Sequence, residues 1–581
     1  EAATLGHLGL VYYSLTDYDQ AHLAQQQSLA IAQQLGDRHR AGRALENLGL
    51  VFYARQDYSQ AIDSHQQSLE IAQQLGDRHA EARAFNNLGD ALYKAGRPAE
   101  AVEYLQGAIA IWDSLRDRLG NRDLDRIAIF ETHETTYSTL QRVLVESGQP
   151  EAALAVTEQG RARAFVNLLG RDRLNRAGET DTALAQVRPP NLAEIKQTAQ
   201  VQNSTLVSYA IVQDTIDTQG VRALHPTDLY IWVVNPNGEV HFRQTPLSDL
   251  HAQGRSLEQL VSDARCLANT LRCQKRNQSR LNPTGRLQYQ ALQQLHQLLI
   301  DPVADLLPSD PSAHVTFVPH QALFQIPFAA LQDAAGRYLI EHHTLLSAPS
   351  IQVLGLTGQT PTADFAALSH DDFLIVGNPT MPMNPRQPAD SSQPLPALLT
   401  AEFEAKTLAG LLQTDVLTGD MATEPVVTER MAQAKIIHLA THGFLDDLDG
   451  QGLPGAIALT PTAQSDGLLT AQEIVGLDLN ADLAVLSACD TGGGRITGDG
   501  VVGLSRSLMS AGVPSVIVSL WKVPEGSDQG SPTVDLMVSF YETLEKQDDK
   551  AQALRQAMLS TMQQYPEPEY WAAFSLMGSP L

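Results

Sequence analysis

The sequence predicts a multidomain chain: an all-α repeat superhelix, then an α/β part built on a mostly parallel sheet with helices on both faces. Three observations predict it. Leu8-Gly9, Leu48-Gly49 and Leu88-Gly89 recur at a fixed offset of 40 residues, the mark of a repeat array. From Asp371 onward, short apolar runs alternate with helical patterns, as parallel strands joined by crossover helices do. Two of those runs, 436–443 and 483–489, each carry a reactive side chain to a glycine-containing break.

The bulk numbers narrow the function classes. A chain of 581 residues exceeds one hydrophobic core, so about three domains are expected. Hydrophobic residues at 43% and charged ones at 18% describe a globular protein. A net charge of −26 and a pI of about 5.0 speak against nucleic acid or an anionic membrane as partner. No run reaches the ~18 consecutive apolar residues of a membrane span. Three cysteines are too few for a disulfide scaffold and fit a reducing cytoplasm, where a thiol stays available. The chain opens at Glu1 inside a helical pattern, so a further upstream portion is expected.

In the repeats, Tyr12, Phe52 and Leu92 follow each Leu-Gly pair by the same step, and Ala21, Ala61 and Ala101 lie 12 residues after each glycine. Gly36-Asp37-Arg38-His39 returns as Gly76-Asp77-Arg78-His79. Each unit reads as two amphipathic helices whose small residues allow close approach. No unit buries its apolar face alone, so the units must stack. This pattern resembles the tetratricopeptide repeat in a 40-residue variant. Stretches 125–147 and 150–169 supply closing helices, which gives a repeat domain over 1–170. A connector, 171–199, contains Arg188-Pro189-Pro190.

Residues 200–365 read as an α/β unit without a visible nucleophile. Runs 205–212 and 229–234 are β-rich, and Pro236-Asn237-Gly238 turns into a strand at 239–242. A long helical stretch, 256–307, precedes a strand at 314–318 and the segment 338–347. Arg265, Arg272, Lys275, Arg276, Arg280 and Arg286 form the one basic stretch, read as a solvated helix and loop. A docking or self-cleavage site is its sharper alternative. Cys266 and Cys273 within it lack metal spacing. In 366–581, strands are expected at 373–377, 415–417, 435–441, 483–489, 515–520 and 571–576. Helices are expected at 400–412, 471–475, 501–511, 533–545 and 551–564. The Pro-rich stretch 377–396 reads as a surface loop.

The chemistry concentrates at two strand ends. Ligands of an open parallel sheet bind beyond the carboxyl ends of its strands. Cys489 ends one run and is followed by Asp490-Thr491-Gly492-Gly493-Gly494; His442 ends the other and is followed by Gly443. A thiol with an imidazole in reach is the arrangement of a cysteine nucleophile and its base. The N–H groups of Gly443 and Cys489 are candidates for an oxyanion hole. His438, four residues before His442, lies on the same strand face about 13 Å lower by strand rise and reads as a hydrogen-bonded core residue. A zinc reading of His438 and His442 needs a helix, and residue 439 is Leu where zinc proteases carry Glu. No Gly-Lys-Ser/Thr follows the glycine clusters near 492–500, and Ser505 and Ser507 lack a nucleophile elbow. No metal and no cofactor is called for.

His-Leu-Ala-Thr-His-Gly, Val-Leu-Ser-Ala-Cys-Asp-Thr-Gly, Gly-Asp-Gly-Val-Val-Gly-Leu-Ser-Arg-Ser-Leu and Val-Ser-Leu-Trp-Lys-Val follow in order and resemble a CHAT domain, the family of caspases associated with tetratricopeptide repeats. Glu158-Gln159-Gly160-Arg161-Ala162-Arg163-Ala164 resembles the segment that joins repeats to protease in such proteins. The resemblance implies a caspase-like three-layer sandwich, with a pseudo-protease half at 200–365 and a catalytic half at 366–581, arranged as in separase. It implies His442 as general base and Cys489 as nucleophile of an endopeptidase. Ser487-Ala488-Cys489-Asp490 stands where true caspases have Gln-Ala-Cys-x-Gly, so a preference for cleavage after Asp is not carried over.

Asp490, Asp446, Asp447, Asp449 and Asp499 crowd the loops after the two strands. They read first as solvated carboxylates. The sharper reading makes Asp490, Asp447 and Asp499 a pocket for a basic side chain before the cleaved bond. The expected partners are a protein substrate and a regulatory protein on the concave face of the repeats. The rival reading is a silent scaffold that binds partners through those repeats.

Overall fold

The computed structural model describes every residue except 118–122, 162–164, 167–168, 170–187, 219–220, 266–285, 359–362, 388–391, 446–447, 449–453, 488–494, 498–499, 522–530 and 581. It forms two compact units. One holds Glu1–Gly160, Ile211–Tyr230 and Pro246–Ser248; the other holds Arg161–Ala210, Ile231–Thr245 and Asp249–Leu581.

The first unit is a helical stack: α1 (Ala2–Ser14), α2 (Tyr18–Gln34), α3 (Arg38–Ala54), α4 (Tyr58–Leu75), α5 (Arg78–Lys94), α6 (Pro98–Asp117), α7 (Asp123–Glu146) and α8 (Pro150–Gly160). Asp17, Asp37, Asp57 and Asp77 each sit one residue before a helix and accept the backbone N–H three residues on. The recurring aspartate is therefore the start signal of four helices. The recurring glycine lets the two helices of a pair meet. A Cβ on Gly9, Gly49 or Gly89 would lie 2.4, 2.4 or 2.6 Å from a side-chain atom of Gln25, His65 or Leu105, closer than any carbon tolerates. Ala21, Ala61 and Ala101 are fully buried beside them. The first helices of successive pairs, α1, α3, α5 and α7, touch one another in turn and make one wall of the stack.

The second unit is organised by an eleven-stranded sheet in the order β3-β2-β1-β4-β5-β16-β15-β12-β8-β6-β7. Its strands are β1 (Ser204–Thr218), β2 (Val221–Val234), β3 (Val240–Pro246), β4 (His314–Val318), β5 (Thr344–Ser347), β6 (Phe373–Pro379), β7 (Val416–Gly419), β8 (Ile436–Ala440), β12 (Leu483–Leu486), β15 (Ser515–Ser519) and β16 (Phe574–Gly578). The far ends of β1 and β2 count with the first unit. Small sheets are formed by β9 (Gly443–Phe444), β10 (Ala456–Ala458) and β11 (Leu468–Thr470), and by β13 (Arg495–Thr497) with β14 (Gly500–Val502). Every residue of β6, β8, β12 and β15 is buried, which is why these runs are predominantly apolar rather than alternating.

Several expectations need correction. The helix expected at 501–511 starts at Leu504, because β14 pairs antiparallel with β13 through Val501 and Val502. The last strand lies at Phe574–Gly578, antiparallel to β15; Pro568 begins a helical turn over Pro568–Trp571 instead. The stretch 256–307 holds two helices among its described residues, Leu257–Ala264 and Arg286–Leu299, and ends in a 3-10 turn over Asp301–Leu306 with Pro302 at its start. The connector 171–199 runs into a helix, Leu192–Val201, opened by a reciprocal cap between Asn191 and Glu194. No helix among the described residues is long and apolar enough to cross a membrane.

Candidate active site

β8 and β12 are parallel neighbours, in register from Leu483 opposite Ile436 to Leu486 opposite Leu439. Cys489 follows Leu486 by three residues, as His442 follows Leu439. Cys489 itself lies outside the described residues, as do Asp490, Asp446, Asp447, Asp449 and Asp499.

His442 is half-buried just past β8, and its Nε2 donates to the Pro396 carbonyl at 2.8 Å. A carbonyl only accepts, so the neutral ring carries its proton on Nε2 and its lone pair on Nδ1. The chain two residues beyond Pro396 is anchored at Leu398. Asn378, in the left-handed region at φ +44° near the end of β6, accepts the Leu398 N–H at 2.7 Å and donates to Glu402 Oε2 at 2.9 Å. Lys406 and then Asn378 hold the Glu402 carboxyl below its ordinary range. A Cβ on Gly377 would fall 2.3 Å from Ala405 and 2.6 Å from the Ala401 carbonyl, so β6 lies hard against the helix Leu399–Leu412. Both ends of the stretch read as a surface loop thus support the histidine. The tripeptide Gly377-Asn378-Pro379 at a strand end was the available signal.

The chain on either side of His442 is fixed by β10. Thr441 Oγ1 donates to the Ala458 carbonyl at 2.8 Å, and the Ala458 N–H donates to the His442 carbonyl at 2.9 Å. Gly443 stands opposite Ile457 in this antiparallel ladder. Hydrogen-bonded and open pairs alternate in such a ladder. The bond at His442 makes Gly443–Ile457 an open pair, which leaves the Gly443 N–H out of the β9–β10 bonds.

His438 is fully buried on β8, as the sequence led us to expect. Its Nε2 donates to Glu404 Oε1 at 2.9 Å and its Nδ1 pairs with the Tyr541 hydroxyl at 3.1 Å. Burial, then the Glu404 charge, pushes the Tyr541 hydroxyl well above its usual range. His438 is on a strand, not a helix, and among the described residues no group of three or more His, Cys, Asp or Glu is placed to hold a metal.

Sequence reasoning missed two buried or docked arginines. Arg161 is 3% exposed and donates to the Val318 carbonyl at 3.1 Å, to Ser208 Oγ at 3.2 Å and to the Tyr209 carbonyl, tying β4 to β1. Arg265 donates to the Leu520 carbonyl at 2.6 Å, just past β15, so this member of the basic stretch is docked rather than solvated. Residues 266–285 of that stretch lie outside the described residues.

The CHAT domain model matches residues 290–579, and two tetratricopeptide repeat models match 2–39 and 40–114. Tetratricopeptide repeat protein 28 of Mus musculus is 26% identical over 78% of this chain and 23% of its own length. The Homo sapiens protein of that name is 27% identical over 78% of this chain and 22% of its own. The chain thus spans less than a quarter of these relatives. Among solved structures, the Saccharomyces cerevisiae separase–securin complex aligns over 100% of this chain and 47% of the matched chain, at 10% identity and a TM-score of 0.49.

Proposed function

The chain belongs to the proteins that join tetratricopeptide repeats to a CHAT domain, and from that premise we propose that it is a cysteine endopeptidase with a His442–Cys489 dyad, gated by a protein bound to its repeats. The observation that supports this reading is the β8–β12 register, which pairs Leu439 with Leu486; in the sequence His442 and Cys489 each follow their strand's paired leucine by three residues. His442 Nδ1 takes the thiol proton. The sulfur attacks the peptide carbonyl, forming the S–C bond, and the imidazolium keeps its Nε2–H on Pro396. The proton taken up by Nδ1 passes to the amine as the C–N bond breaks, and water hydrolyses the thioester. The N–H groups of Gly443 and Cys489 are assigned to the oxyanion, a role whose loss costs about 10²–10³ in rate.

The rival is a silent scaffold, and one experiment separates the two. The full chain is incubated with a peptide library and a thiol-reactive peptide warhead, with and without candidate repeat-binding proteins. Cleavage and labelling that vanish in Cys489→Ala support the enzyme. No cleavage and no labelling in any condition, with partner binding intact, support the scaffold. Asp490, Asp447 and Asp499 are proposed to select a basic residue before the cleaved bond. Unchanged cleavage of basic-residue peptides by Asp490→Ala would remove Asp490 from that role.

A further inference from the structure

The wall of first helices carries a polar cluster that the dyad does not use. Arg142 on α7 is 7% exposed. One of its terminal nitrogens donates to Asp90 Oδ1 at 2.9 Å. The other lies 2.6 Å from Asp214 Oδ2, on the far end of β1, in a charge contact without hydrogen-bond alignment. Lys94 Nζ stands 3.7 Å from the same carboxylate oxygen. Both cations lie over the Tyr93 ring, at 5.6 Å for Lys94 and 5.9 Å for Arg142. One turn before Arg142 on the same face, Ser138 Oγ accepts the backbone N–H of Gln213 at 3.1 Å. The wall therefore grips a β-strand at two adjacent residues, by backbone at one and by carboxylate at the next.

We infer that Lys94, Ser138 and Arg142 form a receptor for an extended acidic segment of a partner protein, which strand β1 occupies in the resting chain through Asp214. A strand main chain supplies the N–H and an acidic side chain supplies the charge. This rests on reading the repeats as the partner-binding part. The test reads binding alone, so a silent dyad leaves it standing.

The probe is a fluorescein-labelled peptide with the sequence of residues 211–217, Ile-Val-Gln-Asp-Thr-Ile-Asp, titrated with the full chain. Asp214→Asn empties the receptor and should bind the probe at least ~5-fold tighter than wild type, since a self-occupied site lowers apparent affinity by its free fraction. The gain should shrink as salt rises. Adding Lys94→Gln, a partly exposed position that leaves the Arg142–Asp90 pair in place, should cancel most of it. A probe with Asn at its fourth position should bind neither chain. Amide exchange at Gln213 should rise in Asp214→Asn. Equal probe binding by wild type and Asp214→Asn, indifference to Lys94→Gln, or unchanged Gln213 exchange would each overturn the inference.

Discussion

Two buried imidazoles, one in each unit, are held by opposite means. His65 on α4 is 1% exposed and rests on Gly49, and neither of its ring nitrogens has a hydrogen-bond partner. His438 on β8 is 0% exposed, and both of its nitrogens are engaged. The corresponding place in the other repeats is filled by Gln25 and by Leu105. The repeat thus provides a slot shaped by glycine, and anything of the right volume fills it. The sheet provides a network that links the strand beside the site to the helices Leu399–Leu412 and Pro532–Gln547 through Glu404 and Tyr541. The same residue type is replaceable packing in one unit and an integral polar link in the other.

The largest effect should come from breaking the network. His438→Leu leaves Glu404, 3% exposed, as a buried carboxylate without its donor, at a cost of about 3–5 kcal/mol. Hydrogen exchange of the β8 amides is the readout, since a chain of two units does not unfold in one step. Replacing both residues, His438→Leu with Glu404→Leu, should recover most of that loss. A single substitution costing under about 1 kcal/mol would put His438 in the same class as His65.

Acid should act on the repeat slot. Burial pulls the His65 pKa down to about 3. The unfolded chain then binds the extra proton first, so stability is fully present above pH ~6.5 and falls as pH drops toward the folded value, by about 1.4 kcal/mol per pH unit. Exchange of the α3 and α4 amides across that range measures it. His65→Leu should remove this part of the slope. At neutral pH it should also stabilise the pair by about 1–2 kcal/mol, because two buried unpaired nitrogens are replaced by carbon.

The same contrast separates what the sequence revealed from what it hid. The Gly and Ala periodicity was legible because close helix approach imposes a residue type at a fixed spacing. The β8 and β12 runs were legible because burial on both faces leaves them apolar throughout, but for His438 in β8. His438 was placed in the core by its neighbours Ile437 and Leu439. The Pro396 carbonyl, 46 residues from His442, was not legible, because a backbone acceptor has no side-chain signature. Val501-Val502 suits a strand as well as a helix, and only pairing with β13 decided it. The Asp214 contact was hidden because β1 runs on to Thr218, six residues past the strand end expected at 212.

The smallest effect sharpens the comparison from inside the repeats. Gln25 occupies the slot over Gly9 but is only half orphaned: its Nε2 donates to the Gly6 carbonyl at 2.8 Å, while its Oε1 has no partner. Gln25→Leu, the residue type the third repeat uses, removes one unpaired oxygen and loses one neutral hydrogen bond. Those terms are each about 1 kcal/mol and opposite in sign, so the net change should stay within about 0.5 kcal/mol. It should carry no dependence on pH between 3 and 7, since an amide does not titrate there. Exchange of the α1 and α2 amides in Gln25→Leu, set against α3 and α4 in His65→Leu, measures the difference. A gain at Gln25 as large as that at His65 would mean that slot volume alone, and not the unpaired nitrogens, limits the stability of the repeats.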